Sequence, residues 1–495
     1  MTTTRPTSPA APVAGRRKIG TLSLVLMIVA ASAPLTVVAG GVTSNFAVTG
    51  VLGIPLSFVV LGVILALFAV GFAALSGKVQ TAGAFYSYIA RGLGRIPGVG
   101  AAWVAIVAYN AMQIGIYGMF GFAGADLLSS VFHLGVPWWV CALFGWLVVG
   151  LLGINAVDLS AKVLGVLVAL EFLVVIVYDA LAIGRAPEGI SVSGFAPSEL
   201  FTGGVGAVLA FSVAAFMGFE SGAIYTDEVR DPRRTVRRAT FGAVAVISVF
   251  YALSAWAMVM GEGASKVVAN SAENGPGVVF AMLAGSLPVW MVDLGQTLFV
   301  TSLLAALVSF HNVVARYLRS LARESALPRG LAFSAGPGKA PVAGSLTQSA
   351  LALVVLIVFT IAGAGAEDPV MFPVVTLFTW LTNVGALGLV ALMALTSFAA
   401  FVFLRREPSG QGVFTRVIAP LVAGVVLAVL TVTIVFQFHV LVGLDPSNAL
   451  NWVLPVLALA PGVIGAGWAA WLRGSSPERF ARIGHGPADD VGVRM

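Results

Sequence analysis

Apolar residues run along this chain in long blocks separated by loop signals, each block wide enough to carry a helix across a ~30 Å hydrocarbon layer. The blocks fall at about 20–43, 50–75, 98–128, 136–154, 160–183 and 203–226, then 238–260, 288–322, 343–363, 369–404, 415–437 and 450–472. The pattern predicts an all-α integral membrane protein of twelve transmembrane helices. An even number of spans places both ends on one side of the bilayer.

The charged residues support this register, because Lys and Arg collect in cytoplasmic segments when spans are correctly placed. One side receives both tails together with Lys78, Arg91, Arg95, Lys162, Arg230, Arg233, Arg234, Arg237, Arg238, Arg316, Arg319, Arg323, Arg329, Lys339, Arg405, Arg406 and Arg416. The other side holds Arg185 and Lys266 among the acids Glu188, Glu199, Glu262, Glu273, Glu367 and Asp368. Both termini are therefore expected in the cytoplasm of a cell with a cytoplasmic (inner) membrane.

Composition excludes a soluble enzyme: 59% of residues are hydrophobic and 10% charged, with a mean hydropathy of +1.00. The net charge of +6 is read by topology, as positive-inside bias, and not as a nucleic-acid surface. A single cysteine, Cys141, allows no intramolecular disulfide. The basic Arg16, Arg17 and Lys18 before an apolar stretch ending in "ASA" at 31–33 have the shape of a cleavable signal, but Pro34 follows the cut and the apolar block continues to residue 43.

Two spans are interrupted. The first reads "LMIVAASAPLTVVAGG", where Pro34 removes a backbone donor near the middle of the membrane. The sixth carries Gly218 and Gly222. Small residues often serve close packing between membrane helices. Here, however, they fall in corresponding members of two five-helix halves, within 19–183 and 203–404, and matched interruptions point to an inverted-repeat transporter. Residues 1–18 and 474–495 are then tails, and 414–473 two peripheral helices.

The segment "FMGFESGAIYTDEVRDPRRTVRRA" resembles the sixth-helix signature of the amino acid, polyamine and organocation (APC) superfamily, to which bacterial amino acid permeases belong. "GKVQTAGAFYSYIARGLGRIPGVGAAW" resembles its loop from the second helix to the third, and "SFHNVVARYLRSLARESALP" its eighth helix. The resemblance covers about residues 18–406. It implies a leucine-transporter-like fold, ten core helices in a 5+5 inverted repeat followed by two peripheral ones, and amino acids or related amines as substrates.

An interrupted helix suits such a substrate because it leaves N–H and C=O groups unpaired within the membrane. The substrate carboxylate is expected at Ala31, Ser32, Ala33 and Pro34, and its ammonium near Ala215 to Gly218, with Phe216 or Phe219 as an aromatic gate. Phe in a membrane helix more often simply packs. Asp227 and Glu228 at the end of the sixth span are candidates for a cytoplasmic gate, or else a solvated helix end. Asp231 followed by Pro232 reads as an N-cap with Pro in the first turn of the next helix.

Three ionisable residues in the apolar blocks are left unexplained by topology: Glu171, Glu220 and His311. Such groups pair, remain neutral or do work. Glu220, at the sixth-helix break, reads as a brace for backbone amides or as a proton site, and His311 as a satisfied core histidine or a proton site. Glu171 lies nine residues past Lys162, about 14 Å along its helix and close to the bilayer centre. By the resemblance it falls where some proton-dependent relatives carry a lysine that stands in for a sodium ion; a Glu departs from that pattern and raises a carboxyl proton carrier as the replacement.

These readings converge on a secondary transporter of amino acids or small amines working by alternating access, with the proton as coupling ion and no cofactor or metal. Proton-independent exchange is the alternative within the class. A membrane-embedded enzyme or a channel is the rival from outside it, and the four scattered histidines offer no metal-ligand spacing. The partners expected are the small solute and the lipid bilayer, with no nucleic acid. With carboxylates and no cation in mid-membrane, a neutral or cationic solute is favoured over a dicarboxylate.

Overall fold

The computed structural model describes residues 20–76, 78, 84–155, 161–220, 232–324, 326–334, 340–407 and 410–483. Every regular element among them is helical. The first apolar block gives α1 (Thr21–Ala31), a π-helical run (Thr36–Val42) and α2 (Thr43–Thr49); α3 (Ile54–Ser76), α4 (Ala84–Gly92), α5 (Arg95–Phe132), α6 (Trp138–Ile154) and α7 (Ala161–Arg185) follow. Next come the short α8 (Pro197–Leu200), α9 (Val205–Ala214), the long α10 (Pro232–Glu262), the short pair α11 (Val267–Asn274) and α12 (Gly277–Ala284), α13 (Val289–Arg323) and α14 (Val342–Gly363). A π-helical turn (Pro373–Phe378) leads into α15 (Thr379–Arg406), and α16 (Ala419–Phe436), α17 (Phe438–Val442), α18 (Leu450–Ser475) and α19 (Pro477–Arg482) complete the chain.

Nine of the described helical segments are long and apolar enough to cross a membrane, and α6 and α9 are shorter apolar helices. The protein is thus a multi-pass membrane protein. Its surface agrees: α7 exposes Leu173 and Ile176, α14 exposes Val354 and Ile361, and α18 exposes Val463, a belt of apolar side chains that only lipid would cover. At the centre stands α5, which packs against α13, α15 and α18. Its 38 residues extend about 57 Å, so it overshoots a ~30 Å layer and must tilt or project beyond it. Apolarity marked residues 98–128 and could not register the amphipathic turns added at each end.

Close helix approach explains many of the glycines. On α5, a Cβ at Gly118 would lie 2.5 Å from the Pro373 carbonyl oxygen, and one at Gly115 2.9 Å from the Thr382 methyl. Gly53 is the sharpest loop case, since a Cβ there would sit 2.4 Å from the backbone nitrogen of Leu200 and 2.6 Å from the Glu199 carbonyl carbon. Backbone cannot swing aside as a side chain can. Gly53→Ala is therefore expected to lower stability by about 1–3 kcal/mol, the usual range for overpacking, and a drop in the thermal midpoint of detergent-purified protein would show it.

α7 and α10 run parallel to each other, from an end rich in Lys and Arg to an end carrying Glu188, Glu199, Glu262 and Glu273. These ends are called the basic and the acidic face below.

Candidate functional site

The first block breaks at two residues. α1 closes with the Ser32 amide donating to the Val29 carbonyl at 3.1 Å and the Ser32 hydroxyl to the same carbonyl at 2.7 Å. Ala33 then takes φ +48°, an uncommon left-handed conformation for a residue with a Cβ. Pro34 cannot extend α1 but fits at the start of the next helical run, which resumes with Val37 donating to Ala33 at 3.0 Å. The Ser32 hydroxyl also meets the Tyr251 hydroxyl of α10 at 2.8 Å, which ties the break to its neighbour.

The second break begins where α9 ends at Ala214. Single turns replace the helix: Phe216 donates to Val213 at 2.9 Å, Met217 to Ala214 at 3.2 Å and Phe219 to Phe216 at 3.1 Å. Gly218 has φ +101°, which glycine tolerates and a branched residue does not. Glu220 clasps this turn. One carboxylate oxygen accepts the Gly218 amide at 3.0 Å, and the other accepts the Tyr109 hydroxyl of α5 at 2.7 Å.

Between the two breaks lies a cavity of about 60 Å³. Ser32, Ala33 and Thr36 face it from the first break and Ala214, Ala215 and Met217 from the second. Asn45, Phe58 of α3, Met112 of α5, Phe211 of α9, Phe310 of α13, and Phe378 with Thr382 at the α15 end complete its main walls. No lining side chain among the described residues is charged. At that size the cavity holds a few waters. A larger occupant requires the walls to part, and backbone released from helical hydrogen bonding is suited to such movement.

The residues singled out from sequence divide into two groups around this cavity. Ser32, Ala33 and Ala215 line it. Pro34, Phe216, Gly218 and Phe219 do not: Phe216 packs behind the wall on Phe58, with ring centroids 6.3 Å apart, and Phe219 meets Phe68 edge-on at 5.8 Å. The aromatic rings that do border the space are Phe58, Phe211, Phe310 and Phe378. Phe211 lies one turn before the break, and the others come from helices whose register toward the cavity local sequence does not reveal. Ala31 ends α1, its side chain outside the described residues, as are Asp227, Glu228 and Asp231.

Glu171 stands one layer behind the cavity, on α7. It is buried, with 3% of its surface exposed. Its Oε2 accepts the Ser302 hydroxyl of α13 at 2.8 Å and faces the Leu35 amide at 3.4 Å, while Ser302 also meets the Thr36 hydroxyl at 3.0 Å. The carboxyl thus lies at the amide end of the helical run that starts after the first break, where a negative charge is favoured.

His311 sits elsewhere, among α5, α6 and α14. Its Nε2 meets the Ser345 hydroxyl at 2.7 Å and its Nδ1 meets Gln113 at 3.4 Å. A Cβ on Gly153 of α6 would come within 2.2 Å of Nε2. Both ring nitrogens have partners and the ring is wedged in place, the arrangement of a satisfied core histidine.

A model of the amino acid permease family matches residues 19–460, almost the whole chain. This protein is an amino acid permease family member. It is therefore a transporter and not an embedded enzyme. No curated protein matches the permease. Among solved structures, a variant of the manganese transporter of Eremococcus coleocola is similar over 93% of the permease and 95% of that chain, at 14% identity and a TM-score of 0.54. A second variant of that transporter gives 13% identity and 0.51 over the same shares. The inward-facing conformation of Mhp1 covers 92% of both chains at 16% identity and 0.49. Likeness at such identity concerns the fold alone, and the permease shares the overall fold of the manganese transporter.

Proposed function

We propose that the permease carries amino acids or related small amines across the cytoplasmic membrane by alternating access, taking up a proton at Glu171 with each solute. Twelve spans, ten of them in a 5+5 inverted repeat and two peripheral, would support this cycle, with both termini and the basic face in the cytoplasm. The solute occupies the cavity between the two breaks. Since its walls offer hydroxyls, an amide and backbone but no charge, a zwitterion or monocation fits and a dicarboxylate does not. The lining also lacks any carboxylate, thiolate or imidazole among the described residues, so it favours no metal cargo.

The observation that carries the coupling is the position of Glu171, whose carboxylate accepts from both Ser302 and the Leu35 amide. Ionised, it holds the run that follows the first break against α7 and α13. Protonated, it loses much of its attraction for the Leu35 amide and can itself donate, so the docking of this run changes with the proton. That run contributes Thr36 to the cavity, which links proton and solute. Glu220 and His311 then serve as brace and core residue.

The test is uptake of a labelled mixture of the standard amino acids into proteoliposomes. External acid should stimulate wild-type uptake, whereas Glu171→Gln, which preserves size and hydrogen bonding, should lose that response yet still exchange solute across the membrane. A Glu171→Gln variant that responds to acid as wild type does would remove the proton role.

A further inference from the structure

Glu171 is not the only carboxylate on α7 with a buried oxygen. Asp179 lies eight residues further toward the acidic face, about 12 Å along the helix. One of its oxygens accepts the Ser254 hydroxyl of α10 at 2.8 Å, while the other, Oδ1, is buried without a hydrogen-bond partner. The preceding residue, Tyr178, is fully buried and its hydroxyl also lacks a partner. Adjacent orphaned polar groups are unusual in a membrane protein, where each costs several kcal/mol unless water reaches it. A water reaching each of them would satisfy it.

The facing helix continues the polar line. Ser254 is one turn from Tyr251, whose hydroxyl bonds Ser32 at the first break and lies within electrostatic reach of Glu171. In the other direction Tyr178 is within electrostatic reach of Glu262, which ends α10 at the acidic face and accepts from the Asn270 amide at 2.6 Å. The seam between α7 and α10 therefore carries, in order from the acidic face, Glu262, Asp179 with Tyr178 and Ser254, Tyr251, and Glu171. The remaining titratable groups in the acidic-face halves of the elements around Asp179 are Arg185 at the end of α7, which donates to the Met282 sulfur at 3.8 Å, and Asp293 in the first turns of α13; α1 and α12 contribute none, and Lys162 of α7, the arginines in the first turns of α10 and His311, Arg316, Tyr317, Arg319 and Arg323 of α13 lie further toward the basic face.

We infer that Asp179 is a relay residue on a hydrated path that brings protons from the acidic face to Glu171. The inference rests on the proton role proposed for Glu171. A proton from bulk water binds the Asp179 carboxylate, passes to water held by the Tyr178, Ser254 and Tyr251 hydroxyls, and ends on Glu171. Asp179 returns to its ionised form and Glu171 becomes the neutral acid, so the single charge moved is the proton itself. Asn at position 179 retains the Ser254 contact and cannot relay.

The test needs no knowledge of the solute. Dicyclohexylcarbodiimide modifies protonated carboxyls in apolar surroundings, and peptide mass spectrometry reads its adduct on Glu171 in proteoliposomes sorted for one orientation. In wild type, acidifying the acidic-face compartment should speed the adduct's formation. In Asp179→Asn that response should fall by about tenfold or more, in line with loss of a positioned proton-transfer group, while acidification of the basic-face compartment still acts, which shows that the protein is folded and Glu171 reactive. Asp179→Glu should recover much of the response. Equal acidic-face responses in wild type and Asp179→Asn would overturn the relay and leave the role of Glu171 standing. A Glu171 adduct insensitive to pH from either face, in both proteins, would overturn the proton role itself and the relay with it.

Discussion

Glu220→Ala is expected to destabilise the protein by about 3 kcal/mol or more, because it deprives one buried and one part-buried donor of their acceptor at once. The Gly218 amide and the Tyr109 hydroxyl both donate to this carboxylate, and Glu220 has 4% of its surface exposed. Among the described residues no other hydrogen bond ties the turn at Gly218 to α5. The thermal midpoint in detergent should fall by several degrees, and transport should fall further than stability because the turn is part of the cavity wall through Met217. Glu220→Gln retains an acceptor for one donor and should lie between wild type and alanine. A Glu220→Ala protein with wild-type melting would show that the break is held by its other neighbours.

Ala215→Leu should have the opposite profile, with transport lost and the fold retained. Ala215 faces the cavity directly and has 7% of its surface exposed. Three added carbons would occupy much of a space of about 60 Å³. The added apolar surface meets Phe and Met walls, so the stability cost should remain within the ~1–3 kcal/mol of ordinary overpacking. Solute binding should weaken by about a hundredfold or more, since the leucine side chain and the solute would compete for the same volume. A thermal-shift screen with amino acids compares the two proteins: shifts seen in wild type and missing from Ala215→Leu support this location, and equal shifts would move the solute elsewhere.

These expectations differ from what local sequence alone suggests for the sixth block. Gly218 and the flanking Phe216 and Phe219 are conspicuous in the sequence, yet none of the three lines the cavity. Gly218 is needed for its positive φ, a demand of the backbone that has no bearing on what its missing side chain would touch. The two phenylalanines turn inward against α3. A residue inside a broken segment no longer follows 3.6-residue periodicity, so its direction cannot be counted from its neighbours.

Glu171 and His311 make the same point for buried polar groups. Both are visible in sequence as ionisable residues within apolar blocks, and their depth follows from 1.5 Å per residue. Their partners do not. Glu171 meets Ser302, 131 positions away, and His311 meets Ser345 across a helix boundary. The first contact places a carboxyl at the amide end of a resumed helix, and the second satisfies a core ring. Asp179 shows the converse. Near the end of its apolar block it passes for an interfacial residue, and only the packing of α10 shows its oxygen to be orphaned within the seam.

By itself the sequence determined what depends on local composition: that the chain spans a membrane many times, that its positive charges gather at alternate connections, that the chain breaks its helices at Pro34 and around Gly218, and which family its motifs resemble. Solvent preference, missing backbone donors and glycine's torsional freedom are properties of residues in their own short stretch of chain. Only the tertiary structure decided which side chains face the cavity, which acceptor holds each broken turn, and which of the buried acids and the histidine has both sides satisfied. Those outcomes depend on the rotation and register of helices far apart in sequence, which are set by packing as a whole and written in no single segment.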